Sequence, residues 1–330
     1  AANVVEAYIA NCVNDAPITV TDLNSFAGQY TQIGGIVGNI EYLASNAYEI
    51  SDCENTANGD ISVSGAGGHM YIGGISGYNY SCAHKNITNR GDMNISANFD
   101  TNLFVAGCLA SPGLNDSDGK HKYTAEKVNN YGNITVTGSG SILYVGGVIG
   151  RGSQGDLTDC HNYGKVVITP TITAATEIKI GGFEAVGVGD GDAGTATNCS
   201  NEGDITLDVT GISTIKNIMY AGFSGYCHHL TDLCSNTATV TLKGTANLVT
   251  NGLLEDAVTD STHSIGGFSG YKAAKAITNC TNTGKLVVEA GAQLKNNVYL
   301  DGPTSNGLVL DVNIAQSALV NGATVDVELP

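Results

Sequence analysis

Tryptophan is absent, and arginine occurs only at Arg90 and Arg151. A glycan platform built on indole rings is thereby excluded, although 15 tyrosines leave ring faces that can stack on a sugar. Basic residues are scarce as a class: 14 Lys and Arg stand against 31 Asp and Glu, for a net charge of −17. Such a surface repels phosphates, so nucleic acid is excluded as a partner, and anionic membrane surfaces are disfavoured. No apolar run approaches the roughly 18 residues of a membrane-spanning helix, so no membrane insertion is expected. Charged residues make up only 14% of the chain, below the usual quarter or so. The 44 glycines follow no three-residue period, which excludes collagen. With Asn, Thr and Ser abundant as well, the composition suits many turns and short strands.

What is present is a repeat with two parts. The first is a Gly-Gly-apolar unit: Ile33-Gly34-Gly35-Ile36, Ile72-Gly73-Gly74-Ile75, Val105-Ala106-Gly107-Cys108, Val145-Gly146-Gly147-Val148, Ile180-Gly181-Gly182-Phe183, Tyr220-Ala221-Gly222-Phe223 and Ile265-Gly266-Gly267-Phe268, with Ser305 to Leu308 as a degenerate copy. The second is a Cys-x-Asn-x-Gly unit, whose Asn falls at Asn14, Asn55, Asn89, Asn130, Asn162, Asn201, Asn236 and Asn282. Two residues before each Asn stand Cys12, Cys53, Ile87, Val128, Cys160, Cys199, Cys234 and Cys280. An alternating apolar pair follows each copy, from Ile18/Val20 to Leu286/Val288, and period 2 marks a strand with one buried face.

Intervals of 32 to 46 residues between the Asn positions mean a solenoid, a propeller or an array. A propeller blade needs four antiparallel strands joined by hairpins, and no period shows them. The fold class expected is therefore all-β, a parallel β-helix (β-solenoid) of about eight irregular turns with loops. Length alone would allow two domains, but an unbroken repeat argues for one over residues 1–330, with 309–330 as a C-terminal cap. Val4 to Val20 is expected as the first turn, its outer edge continued by further sequence or covered by another chain.

The pattern resembles the GLUG-type repeats of bacterial surface proteins. In the clearest copy the matching residues are Gly266, Gly267, Gly270, Asn279, Cys280, Asn282, Gly284 and Leu286. The resemblance runs from about Cys12 to Leu308 and implies an extracellular or cell-surface β-helix, often adhesin-associated, with no shared catalytic residues. It leads us to expect a non-catalytic module that gives an elongated scaffold for attachment or assembly. Its partners would be a host or cell-surface glycan or protein, or neighbouring subunits. The alternative is a polysaccharide-binding or polysaccharide-degrading β-helix protein.

The candidate residues divide along the same line. The Asn series is expected to form a ladder, each amide donating to one turn and accepting from the other. Cys12, Cys53, Cys160, Cys199, Cys234 and Cys280 share one position with Ile87 and Val128, so they are expected as free buried thiols. Their Cβ atoms would stack at about 4.8 Å, against about 3.8 Å in a disulfide. Cys82, Cys108 and Cys227 lie off that position, and their pairing stays open. Arg90-Gly91-Asp92 spells an integrin tripeptide but occupies a variable slot of the repeat. Asp116, Asp118, Asp190 and Asp192 resemble fragments of calcium loops without the full ligand spacing, so no cofactor is expected, Ca²⁺ being the open option. His228-His229 with Asp232 and Cys234 has a metal-like composition without zinc spacing, and reads as a polar loop. Asp156, Asp159, Glu184, Asp190 and Asp192 are the carboxylates that an enzyme would have to bring together.

Overall fold

A computed structural model describes residues 7–24, 29–40, 48–113, 123–138, 140–153, 155–171, 174–175, 177–188, 194–210, 214–215, 218–243, 264–272, 277–288, 299–303, 309–313 and 325–327. Its register puts like residues on like residues. Asn14 is paired with Asn55, Asn55 with Asn89, and the series runs without a slip through Asn130, Asn162, Asn201 and Asn236 to Asn282. The next apolar residue stacks likewise, from Ile18 through Ile61, Met93, Ile134, Val166, Ile205 and Val240 to Leu286. So does the first residue of the Gly unit, from Gly34 to Gly266. Each repeat is thus one coil of a parallel β-helix. The strands form sheets of 13, 16 and 7 strands and one 2-stranded pair, and the described residues contain no helix. The pairings are parallel with two exceptions. Val309–Asn313 runs antiparallel to Tyr299–Pro303, and Val325–Val327 antiparallel to Leu286–Val288. Of the expected cap, only these two strands lie within the described residues.

The interior is divided. One apolar core lies within the 16-stranded sheet, which folds back on itself around Ile61, Ile72, Val105, Ile134, Ile180 and their stacked equivalents. A second lies between the 7- and 13-stranded sheets and holds the Cys position together with Ile75, Leu109, Phe183, Phe223 and Phe268. The chain passes between the cores twice per coil, once through the Asn unit and once through the Gly unit. These two passages touch, so the coil has a waist. A Cβ on Gly147 would lie 1.8 Å from the Gly182 carbonyl oxygen and 2.4 Å from Cγ of Asn162, and one on Gly74 would lie 2.5 Å from Cγ of Asn89. The second residue of the unit is accordingly Gly at 35, 74, 107, 147, 182, 222 and 267.

The Asn side chains form a continuous column at the waist. Nδ2 of each donates to Oδ1 of the next, from Asn14 to Asn282, at 2.7 to 2.9 Å. The same nitrogen donates to a carbonyl of its own turn, as from Asn162 to Gly164 at 2.9 Å and from Asn130 to Gly132 at 2.9 Å. An amide carries two donors and one oxygen acceptor, so a buried polar column is satisfied entirely from within. The alternative for these groups, burial without partners, is costly at each position.

One further column stands just before the Cys position. Asn11, Asp52, Asn86, Lys127, Asp159, Asn198, Leu233 and Asn279 all have φ between 51° and 56°. Each coil turns a corner there through a left-handed residue. Asn and Asp tolerate that conformation, whereas Leu does so only with strain of roughly 1 kcal/mol. Leu233 is also 55% exposed, so its side chain returns little by burial. Leu233→Asn is therefore expected to stabilise the chain by about 1 kcal/mol, read as a higher urea midpoint. An unchanged or lowered midpoint would contradict the strain.

All nine cysteines are free, eight of them buried and Cys12 half-buried. The repeat-position thiols donate to the carbonyl two residues earlier, as Cys160 does to Thr158 at 3.3 Å and Cys280 to Thr278 at 3.2 Å. The three cysteines off the position are buried too, and burial pushes the Cys82 thiol up to about 12 and that of Cys227 to about 11. Such thiols remain protonated and inert at neutral pH.

Candidate functional site: an aromatic crease

Where the 16-stranded sheet turns through the Gly unit into the 7-stranded sheet, two outer faces meet at an angle. The residue two before the first Gly points outward from the first face. In successive coils it is Tyr71, Phe104, Tyr144 and Lys179, paired in that order. The 7-stranded sheet contributes Tyr78, Arg151, Val186 and Tyr226. The apolar members form a small cluster outside both cores, completed by Ala110 and Ala185, with Lys179 and Arg151 beside it. The rings pack in the manner their quadrupoles favour. Phe104 and Tyr144 stack at 4.7 Å, and Tyr71 meets both Phe104 and Tyr78 edge-on at 5.2 Å. Tyr226 stacks on His228 at 5.1 Å.

Polar groups line the same crease. Lys179 pairs with Glu177 at 3.0 Å and lies 5.2 and 4.8 Å from the ring centres of Tyr144 and Tyr226. The Tyr144 hydroxyl donates to Glu177. The Arg151 guanidinium stands 5.9 Å from the Phe104 ring centre. Burial raises the Tyr78 hydroxyl to about 12, so it stays a neutral donor and acceptor. The arrangement offers ring faces and edges, hydroxyls and fixed cations along the axis of the coil. That combination can hold a polar, ring-shaped ligand, and two of its hydroxyls meet a base, Tyr144 at Glu177 and Tyr226 at Nε2 of His228.

Of the titratable groups singled out from sequence, His228 lies in the crease and the other described ones lie elsewhere. His229 lies in the short loop between the strands Ser224–Cys227 and Leu230–Asp232, but it is buried rather than solvated, and its Nε2 lies 3.0 Å from Oε1 of Glu184, whose side chain is 1% exposed. The polar-loop reading fails because Glu184 takes a core position that Ile149 and Ser224 fill in adjacent coils, and a buried carboxylate needs a partner. Burial alone would lower the pKa of His229, but the charge and hydrogen bond of Glu184 override it and hold it above the usual value. The pair therefore adds stability below the ordinary histidine pKa, and that stability is lost as pH rises through the raised one. Cys234 is buried at its repeat position, within electrostatic reach of His229, and His228 lies in the crease against Tyr226.

His84 behaves in the opposite way. It is fully buried, accepts from Nδ2 of Asn79 at 2.8 Å through Nε2, and donates from Nδ1 to the Thr124 carbonyl at 3.1 Å. Burial lowers its pKa to about 4. Between about 6.5 and about 4 the unfolded chain binds the proton and the folded chain does not, so stability falls with pH across that window. The full loss is about 3 kcal/mol. Denaturation midpoints measured from pH 7 to pH 4 should show this loss, and His84→Gln should flatten it. A wild-type midpoint constant over that range would contradict the buried neutral histidine.

The remaining candidates are not brought together. Arg90 donates to Glu54 at 2.8 Å and covers the Tyr131 ring at 4.6 Å, while Oδ1 of Asp92 accepts from the Asn133 backbone N–H at 2.7 Å. The Arg-Gly-Asp side chains thus lie flat against neighbouring coils. Asp156 accepts from Thr195 and Asp159 from Asn198, both between adjacent coils and neither facing Glu184. His69 stacks under Tyr30 and His161 bonds Ser200. Asp116, Asp118, Asp190 and Asp192 lie outside the described residues. The crease was missed in the sequence, although two signals for it exist: an aromatic two places before the Gly unit in three consecutive copies, and the triplet Ser-Gly-Tyr at 76–78, 224–226 and 269–271. No family model, no curated protein and no solved structure matches the chain.

Proposed function

We propose that the chain is a non-catalytic, surface-displayed module of adhesin type, a stacked scaffold for attachment or assembly at the cell surface. The observation that supports this best is the unbroken Asn column. Each residue type that defines the repeat serves the stacking of coils: Asn by its amide, Gly by its missing Cβ and Cys by its fit in the core. A sequence under that constraint is shaped for propagation along an axis, with variation left to the outer faces. Eight rungs at about 4.8 Å each span roughly 35 Å. The test is location and loss: antibody against the chain should label intact, unpermeabilised cells, and deletion of its coding region should lower their adherence or assembly. Labelling only after permeabilisation would refute the reading.

A second reading, polysaccharide binding, is favoured by one specific feature, the aromatic crease with its hydroxyls and cations. It is compatible with the first, since a scaffold can carry a binding face.

A further inference from the structure

Among the described residues the crease contains a cation without a carboxylate. Of the two arginines, Arg90 is paired with Glu54. Arg151 is half-buried, and among the described residues no carboxylate lies within ion-pair reach of it. Its charge reaches the hydroxyls of Tyr71, Tyr78 and Tyr144, where it opposes the rise that burial imposes. A guanidinium so placed has lost part of its hydration and, among the described residues, has gained a ring contact and no counter-ion.

We infer that the crease binds an acidic polysaccharide lying along the axis of the coil, with Arg151 taking the carboxylate of a uronate sugar and Tyr78 and Tyr226 meeting the flanking sugars. This narrows the polysaccharide-binding reading and rests on it. Three observations converge. The planar fork of Arg151 matches a carboxylate in bidentate fashion, and the surrounding rings weaken competition from water. The half-buried Tyr78 presents both ring surface and hydroxyl, the two groups a pyranose can use, while Tyr226 offers the part of its ring left by His228, which stacks on it and lies 3.2 Å from its hydroxyl. The walls are interior strands: Ile149–Ser153 is paired on both sides, with Leu109–Pro112 and Glu184–Val188. An acidic peptide therefore finds no open edge to which it could add as a strand. The net charge of −17 opposes every polyanion, so contact is confined to the crease, whose two cations are too few to neutralise the closely spaced phosphates of a nucleic acid.

The test uses the full chain in titration calorimetry with polygalacturonate and alginate, and with dextran and poly-glutamate as comparison probes. At least one polyuronate should bind, more weakly as salt rises, while dextran should not. Arg151→Gln should weaken binding about ten- to a hundredfold at an unchanged melting temperature. Arg151→Lys should recover part of the loss, and Arg90→Gln, outside the crease, should bind as wild type does. The inference is overturned if neither polyuronate binds, if Arg90→Gln and Arg151→Gln lose affinity equally, or if poly-glutamate binds as tightly as the polyuronate. Should Arg151→Gln melt early, Tyr78→Ala decides, and unchanged affinity in that variant would also overturn it. Surface labelling of cells is read independently, so the scaffold proposal and this inference can fail separately.

Discussion

Replacing Asn162 by alanine is expected to lower stability by roughly 3 kcal/mol or more. Three groups lose a partner at once. Nδ2 of Asn130 loses its acceptor, Oδ1 of Asn201 loses its donor, and the Gly164 carbonyl loses the second amide hydrogen. Asn130, Asn162 and Asn201 are all fully buried, so water does not replace what is removed. The amide volume is lost as well, in the narrowest part of the coil. Asn201→Ala should cost a similar amount for the same reasons. Because the two rungs share one hydrogen bond, the double variant should cost less than the sum, with a coupling on the order of 1 kcal/mol. Chemical-denaturation midpoints of the two single variants and the double variant supply the test. Single variants as stable as wild type, or strict additivity, would mean that the column does not act as one.

Gly147→Ala should be at least as damaging, although it adds one methyl group and removes nothing. Its Cβ would stand 1.8 Å from the Gly182 oxygen and 2.4 Å from Cγ of Asn162, closer than real Cβ atoms approach. The first obstacle is backbone in the next coil, and the second is a side chain held at both ends by hydrogen bonds. Neither can rotate aside. The coil must open at the waist, which strains the register of the adjacent coils and lengthens the bonds of the Asn column. Overpacking of this kind costs roughly 3 kcal/mol, and a loss of folded protein on expression is the outcome expected first. A soluble Gly147→Ala variant with the wild-type melting temperature would show that the passages at the waist are not in contact.

These two substitutions mark the boundary between sequence and structure. The eight Asn positions, the Cys position and the first strand after them were legible because a parallel coil places the same repeat residue on itself every turn. A one-dimensional pattern then carries the register directly. The register of the Gly unit was legible for the same reason. What it packs against was not, since Gly74 and Asn89 belong to different units of the repeat and meet across the coil. The left-handed corner was hidden because it is filled by Asn, Asp, Lys and Leu, which share a conformation and no chemistry. The crease was hidden in a third way. Tyr71 and Tyr78 are seven residues apart, and their rings meet only because the chain reverses at Gly73-Gly74 between them. The pairing of His229 with Glu184 spans 45 residues and breaks the repeat at a core position, so periodicity pointed away from it. The sequence by itself thus determined the coil, its register and its stacking, through identical residues meeting along one axis. Only the tertiary structure decided the waist, the corner and the crease, because those contacts run across the coil, between residues of unlike kind that no repeat aligns.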